Sequence, residues 1–303
     1  MKKIFLSSMA LVLAACTLSA CGGGTEAQSE SQQTEAQTQA QTEAQTDAQT
    51  EPEITDTSLP KDKEYSVLFI GNSFTYCSDM PSALFAPLCA AAGYNVKVDS
   101  VTRGGYYLHQ FANQNDEYGK KVLEKLKNNT YDYVVIQEQS GNAVYNPKSF
   151  FAGVRSIARL VERYNDGQLV LFETWGYKTG YHLLPTHGGS TEMMEIKMRA
   201  AYTAIGEELG CKVALVGVAF MDIFTNEKSI ELYDKDLSHP SKSGSLLAAY
   251  TIFSTIFESD VRGITFDTGV RRSEIKPLQQ AAYTAVFEEH PVPKRHRIDS
   301  TEM

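Results

Sequence analysis

Tyr65-Ser66-Val67-Leu68-Phe69-Ile70-Gly71-Asn72-Ser73-Phe74-Thr75 is where the chain first declares its architecture. Residues 65–70 are mostly apolar with no alternation, the pattern of a strand covered on both faces. The run ends at Gly71, and a helical pattern begins at residue 81. A serine hydroxyl, Ser73, is therefore left just beyond the carboxyl end of a buried strand. Residues 95–101, 132–137, 169–173 and 213–218 read as four further strands of the same kind. Residues 81–92, 108–126, 149–164 and 193–209 carry helical periodicity between them, and 246–257 adds a helix after the last strand. Gly93 and Gly210 stand where helix-ending glycines belong. Alternating strands and helices predict an α/β fold with a five-stranded parallel sheet covered on both faces. Sites in such sheets form beyond the carboxyl ends of the strands. Gly71 to Ser73, Arg103 to Gly105 and Gln137 to Asn142 each follow a strand, so all three fall on one edge.

A second string completes the chemistry. Asp236-Leu237-Ser238-His239-Pro240-Ser241 precedes the last helix. It supplies an imidazole and, three residues earlier, a carboxylate. A serine nucleophile needs a base to take its proton. The base needs a carboxylate to hold its tautomer and to stabilise the imidazolium that forms. Ser73, His239 and Asp236 are the candidate nucleophile, general base and orienting acid. Ser73 is also a favoured helix cap, and Asp234 is a competing carboxylate.

With these motifs the chain resembles the SGNH (GDSL-like) hydrolases, in the branch with Gly-Asn-Ser-Phe-Thr near the start and Asp-x-x-His-Pro-Ser near the end. The resemblance covers about residues 64–260. It implies a flavodoxin-like three-layer sandwich and a serine esterase without cofactor or metal. It places the glycine after the second strand at Gly104 or Gly105, and the polar amide after the third within Gln137-Glu138-Gln139-Ser140. Asn72 stands where the better-known pattern has Asp, and the third block lacks a plain Gly-x-Asn-Asp. The oxyanion hole is expected from the backbone N–H of Gly105 or Gly104 and the amide of Gln139. Gln137, Asn142, Trp175 and Tyr177 are candidate substrate contacts, the last two on an aromatic connection, 174–190, that also carries Tyr181, His182 and His187. His182, His187 and Glu192 have no distinctive metal-ligand spacing.

The first sixty residues read differently. Lys2 and Lys3 precede a short apolar core, and Leu18-Ser19-Ala20-Cys21 resembles a bacterial lipobox, with Cys21 the lipidated residue and Cys16 the competing one. The core is interrupted and falls short of the roughly 20 apolar residues of a span. Residues 1–21 are thus expected to be a lipoprotein signal peptide. Residues 22–60 repeat Thr-Glu-Ala-Gln and lack any large apolar side chain before Ile54, so they read as a disordered tether. That segment holds eight acids and no Lys or Arg, so it accounts for nearly all of the net charge of −9. The remaining chain is only mildly acidic. The one basic cluster, Lys294-Arg295-His296-Arg297, reads as solvated surface in a polar tail, 291–303, behind a hydrolase-like domain at 61–290. A nucleic-acid partner is therefore not expected. Cys77, Cys89 and Cys211 are odd in number and widely spaced, with no disulfide or zinc pattern.

The expected function is a membrane-tethered extracytoplasmic esterase acting on a small acyl ester, with acetylated carbohydrate the favoured substrate. A lipid or thioester hydrolase and a non-catalytic glycan-binding lipoprotein are the alternatives.

Overall fold

The computed structural model describes residues 59–303. The expected signal peptide, Cys21 and nearly all of the expected tether lie outside them. Among the described residues, five strands form one sheet: β1 (Glu64–Gly71), β2 (Asn95–Thr102), β3 (Tyr133–Ile136), β4 (Gln168–Glu173) and β5 (Lys212–Leu215). Their order is β2-β1-β3-β4-β5 and every pairing is parallel. Val67, Leu68, Phe69 and Ile70 of β1 are completely buried, as the unalternating run requires. Each such side chain contributes about 1.5–3 kcal/mol by leaving water. The edge strand β2 is only partly covered.

The helices are α1 (Ser73–Tyr76), α2 (Ala86–Ala91), α3 (Leu108–Phe111), α4 (Glu117–Asn128), α5 (Asn142–Tyr145), α6 (Pro147–Tyr164), α7 (Thr191–Leu209), α8 (Val216–Asn226), α9 (Lys242–Phe257) and α10 (Arg272–Phe287). α6 packs with α3, α4 and α7, while α9 packs with α2, α8 and α10. α9 is buried on all sides from Gly244 to Phe257 because α10 covers its outer face. No helix of the described residues is long and apolar enough to cross a membrane.

Two expectations are corrected, and two features were not foreseen. The run 213–218 is strand only to Leu215; from Val216 it winds into α8, which a short apolar run cannot distinguish from strand by periodicity. The first helix does not run evenly from residue 81. Left-handed Ser78 and Asp79 interrupt it, and residues Met80–Phe85 form a wide π turn before α2. α10 was hidden by its internal Pro277. The polar tail, residues 291–303, is held against the domain. Arg155 of α6 donates to the carbonyls of Ser300 (2.7 Å) and Met303 (3.3 Å), and Ile298 packs on the core.

The order β2-β1-β3 reverses the direction of winding between β1 and β3. That reversal opens a crevice at their carboxyl ends. Ser73 follows β1 and Gln137 to Asn142 follow β3, so the crevice is where the candidate residues gather.

Candidate active site

Each residue of Gly71-Asn72-Ser73-Phe74-Thr75 has its own task. A Cβ on Gly71 would stand 2.3 Å from Thr75 Oγ1 and 2.7 Å from Gln137 Oε1, so only glycine fits there. Asn72 caps α1, its Oδ1 accepting from the Phe74 N–H at 3.1 Å. Its Nδ2 donates to the Tyr106 carbonyl at 3.0 Å and ties the β2 loop to the β1 loop. Thr75 donates to Gln137 Oε1 at 2.9 Å. Because Asn72 is the cap, the Ser73 hydroxyl has no capping duty. It lies 2.8 Å from His239 Nε2.

The imidazole is held by a tight turn. Leu237 takes a left-handed backbone, φ 65°, and this turns the N–H groups of Ser238 (3.0 Å) and His239 (2.9 Å) onto Asp236 Oδ1. Asp236 Oδ2 accepts from His239 Nδ1. Asp234 is spent on its own turn, accepting from the Lys235 N–H. Partial burial pushes the Asp236 carboxyl up, but His239 and the two backbone donors outweigh it and leave it below the ordinary carboxylate range. The structure thus brings Ser73, His239 and Asp236 into one hydrogen-bonded line.

The candidate oxyanion donors share the edge. The Arg103 N–H bonds the Gly71 carbonyl at 3.1 Å, which ties the loop carrying Gly104 and Gly105 to the end of β1, two residues before Ser73. Among the described residues, the backbone N–H groups of Ser73, Gly104 and Gly105 meet no protein acceptor. Gly105 has φ +73°, and the Tyr76 hydroxyl occupies the place a Cβ on Gly104 would need, 2.8 Å away. Gln139 is half-buried; its Oε1 accepts from the Gly141 N–H at 3.1 Å, and its Nε2 lies a loose 3.4 Å from Ser140 Oγ.

The four candidate substrate contacts are corrected by their burial. Gln137 is 1 % exposed, with Oε1 accepting from the Asn72 N–H (2.8 Å) and Nε2 donating to the Glu138 carbonyl. It braces the serine loop, with both its amide oxygen and its amide nitrogen hydrogen-bonded to the protein. Asn142 is fully buried, its Nδ2 3.5 Å from Ser149 Oγ. Trp175 is fully buried between Phe74 (4.7 Å, 7°) and Phe220 (4.0 Å, 2°). Its Nε1 donates to the Ser238 carbonyl at 3.1 Å. Tyr177 is buried too, its hydroxyl 2.8 Å from Ser140 Oγ. The aromatic connection packs on its own rings, and neither Trp175 nor Tyr177 offers a face to a ligand. His187 bonds the Leu183 carbonyl and Thr186 through Nδ1, and no three potential metal ligands gather among the described residues. Cys77 is half-buried; burial, then the charges of Asp236 and Asp234, push its thiol up and away from a reactive thiolate. A cleft of about 930 Å³, lined by Tyr250, Phe266, Val270 and Ile275 among others, contains none of the site residues.

Glu138 was missed as a structural residue. It is fully buried and accepts from the N–H groups of Gln139 (2.6 Å) and Leu108 (3.2 Å), joining the β2 and β3 loops. The available signal was a lone acid in an uncharged stretch just past a buried strand. Burial pushes its pKa up to about 7. A carboxyl raised in the folded state keeps its proton while the unfolded one ionises. Its contribution is therefore full below about pH 4.3 and is lost as pH rises through about 7. A Glu138→Gln variant is expected to lose less stability than wild type between pH 5 and 8, by about 2–3 kcal/mol. Buried Glu195, also near 7, acts in the same direction, so denaturant melts of the two proteins must be compared at each pH.

Comparison with known proteins agrees with this fold. A protein from Slackia heliotrinireducens assigned to the SGNH hydrolases superposes with a TM-score of 0.56 at 29% identity, over 64% of this chain and all of that one. A DUF4886 family protein from Bacteroides uniformis superposes at 0.66 with 19% identity, over 77% of this chain and 98% of that one. No protein-family model and no curated protein matches the chain. The five-stranded parallel sheet is the SGNH hydrolase fold. The structural neighbours of SGNH type support a serine ester hydrolase as the class of this protein.

Proposed function

We propose that this protein is a lipid-anchored, extracytoplasmic esterase that removes a short acyl group, acetyl above all, from a carbohydrate. The observation that carries the reading is the line from Ser73 Oγ to His239 Nε2 and from His239 Nδ1 to Asp236. His239 takes the Ser73 proton as Oγ attacks the ester carbonyl carbon. The carbonyl oxygen becomes an oxyanion, met by the backbone N–H groups of Ser73 and Gly105 or Gly104 and by the Gln139 amide. Asp236 accepts from the imidazolium. Collapse breaks the ester C–O bond, and His239 gives its proton to the departing alcohol. Water then enters by the same base catalysis and releases the acid from Ser73.

Exposure argues for a short acyl group. The side chains of His239 and Asp236 are 37% and 49% exposed, an open setting in which a long alkyl chain would remain in water. A fluorophosphonate probe tests the assignment. It is expected to label the wild type and not Ser73→Ala. Absence of labelling in the wild type would return the protein to a glycan-binding role without chemistry.

The anchor rests on Leu18-Ser19-Ala20-Cys21 after a signal-like core. Cys21→Ala is expected to leave the membrane fraction or to accumulate unprocessed, because one acyl chain alone binds only marginally and stable anchoring needs several. Fractionation and migration identical to wild type would remove the anchor from the proposal.

A further inference from the structure

Among the described residues three large apolar side chains are exposed: Tyr76 (43%), Tyr145 (47%) and Phe287 (40%). Two of the three sit on the site edge. Tyr76 is three residues past Ser73 on α1, with its hydroxyl against Gly104. Tyr145 ends α5, in the segment that follows β3 and carries Gln139. A third phenol, Tyr107, follows Gly105 and Tyr106 in the loop after β2, and its hydroxyl lies 2.9 Å from that of Tyr145. The three loops that bring Ser73, Gly105 and Gln139 to the edge therefore each bring a tyrosine with them.

Exposed aromatic rings that cluster, rather than scatter singly, mark surfaces that meet something. Two of these rings are also restrained. Tyr107 and Tyr145 satisfy each other's hydroxyl, and Tyr145 is backed by the His187 ring at 4.9 Å. Little side-chain freedom is left to lose on binding. A surface of ring faces with a hydroxyl rim suits a partner that is apolar on its faces and polar at its edge. A pyranose is such a partner, with C–H faces and an equatorial belt of hydroxyls. A nucleotide would bring a phosphate chain to a chain of net charge −9.

We propose that Tyr76, Tyr107 and Tyr145 form a platform for the sugar ring of the departing alcohol, which makes acylated carbohydrate the substrate class; this rests on Ser73 being the nucleophile. The aromatic role that Trp175 and Tyr177 cannot fill passes to these three phenols.

The test compares two substrates with one acyl group. One is p-nitrophenyl acetate, which has no sugar. The other is a set of chemically acetylated oligosaccharides of xylose, glucose and N-acetylglucosamine. For Tyr145→Ala, the ratio of kcat/KM on the best oligosaccharide to kcat/KM on p-nitrophenyl acetate is expected to fall about tenfold or more, the effect of losing one well-packed aromatic contact. Tyr145→Phe keeps the ring and is expected to hold the ratio within about threefold of wild type. An unchanged ratio in Tyr145→Ala, or a wild type that cleaves p-nitrophenyl acetate but none of the oligosaccharides, overturns the platform alone. A wild type that turns over neither substrate and takes no fluorophosphonate label overturns the nucleophile, and the platform with it.

Discussion

Ser73→Ala and His239→Ala are each expected to lower kcat by about 10⁴–10⁶, and the double variant to be little worse than either single. The reason is the shared proton: Ser73 Oγ is a poor nucleophile unless His239 Nε2, 2.8 Å away, takes its hydrogen, and the imidazole has nothing to activate once the hydroxyl is gone. Groups that act as a unit do not add. Asp236→Ala is expected to cost less, since an imidazole without its carboxylate can still find the productive orientation part of the time. It will also loosen the turn, because Asp236 Oδ1 holds the N–H groups of Ser238 and His239. Steady-state turnover of p-nitrophenyl acetate measures all four variants. Additive losses in the double variant would show that Ser73 and His239 serve separate steps, and wild-type activity in Ser73→Ala would remove the nucleophile altogether.

The second large effect is expected at Trp175, which touches no substrate. Its ring is stacked on Phe74, the neighbour of Ser73, and its N–H holds the carbonyl of Ser238, the neighbour of His239. Phe74 in turn meets the His239 ring edge-on at 5.3 Å. Trp175 is thus a positioning residue that sets the nucleophile and the base against one frame. Trp175→Ala is expected to destabilise the fold by about 3–5 kcal/mol, the usual cost of deleting a buried tryptophan. Trp175→Phe keeps most of the stack but leaves the Ser238 carbonyl without its donor, at about 1–3 kcal/mol. A purely structural residue would leave the chemistry of the folded fraction intact. A positioning residue will slow fluorophosphonate labelling of Trp175→Phe well below its melting range, with kcat falling more than KM rises. Trp175 is the chain's sole tryptophan, so its emission reports unfolding from inside the site. Labelling at the wild-type rate would reduce Trp175 to a packing role.

Both predictions draw on residues of unequal legibility. Ser73, His239 and Asp236 announce themselves because their chemistry needs particular residue types in set local contexts: a hydroxyl at a buried strand's end, and an acid three residues before a histidine. Asp236 and His239 share one turn, so their relation is local. Gln137, Trp175 and Tyr177 were read as substrate contacts because polar amides and aromatics on a site edge look alike whether they face solvent or the core. Glu138 gave only a faint signal, and the two phenols Tyr107 and Tyr145 gave none, because they lie 38 residues apart and meet only when two loops do.

The chain's own pattern was enough to settle that buried runs alternate with helices, that the sheet is parallel, and that the motifs share one edge. Those follow from periodicity, which is a property of neighbours along the chain and is set by which faces must leave water. The strand boundary at Leu215, the packing of residues 291–303 against Arg155, the bracing of Asn72 by Gln137 and the stack Phe74–Trp175–Phe220 were decided in three dimensions. Each depends on which of several chemically equivalent side chains a distant segment brings within about 3–5 Å. Hydrogen bonds and ring contacts discriminate only at that range, so the choice is made by packing and cannot be written in any one stretch of sequence.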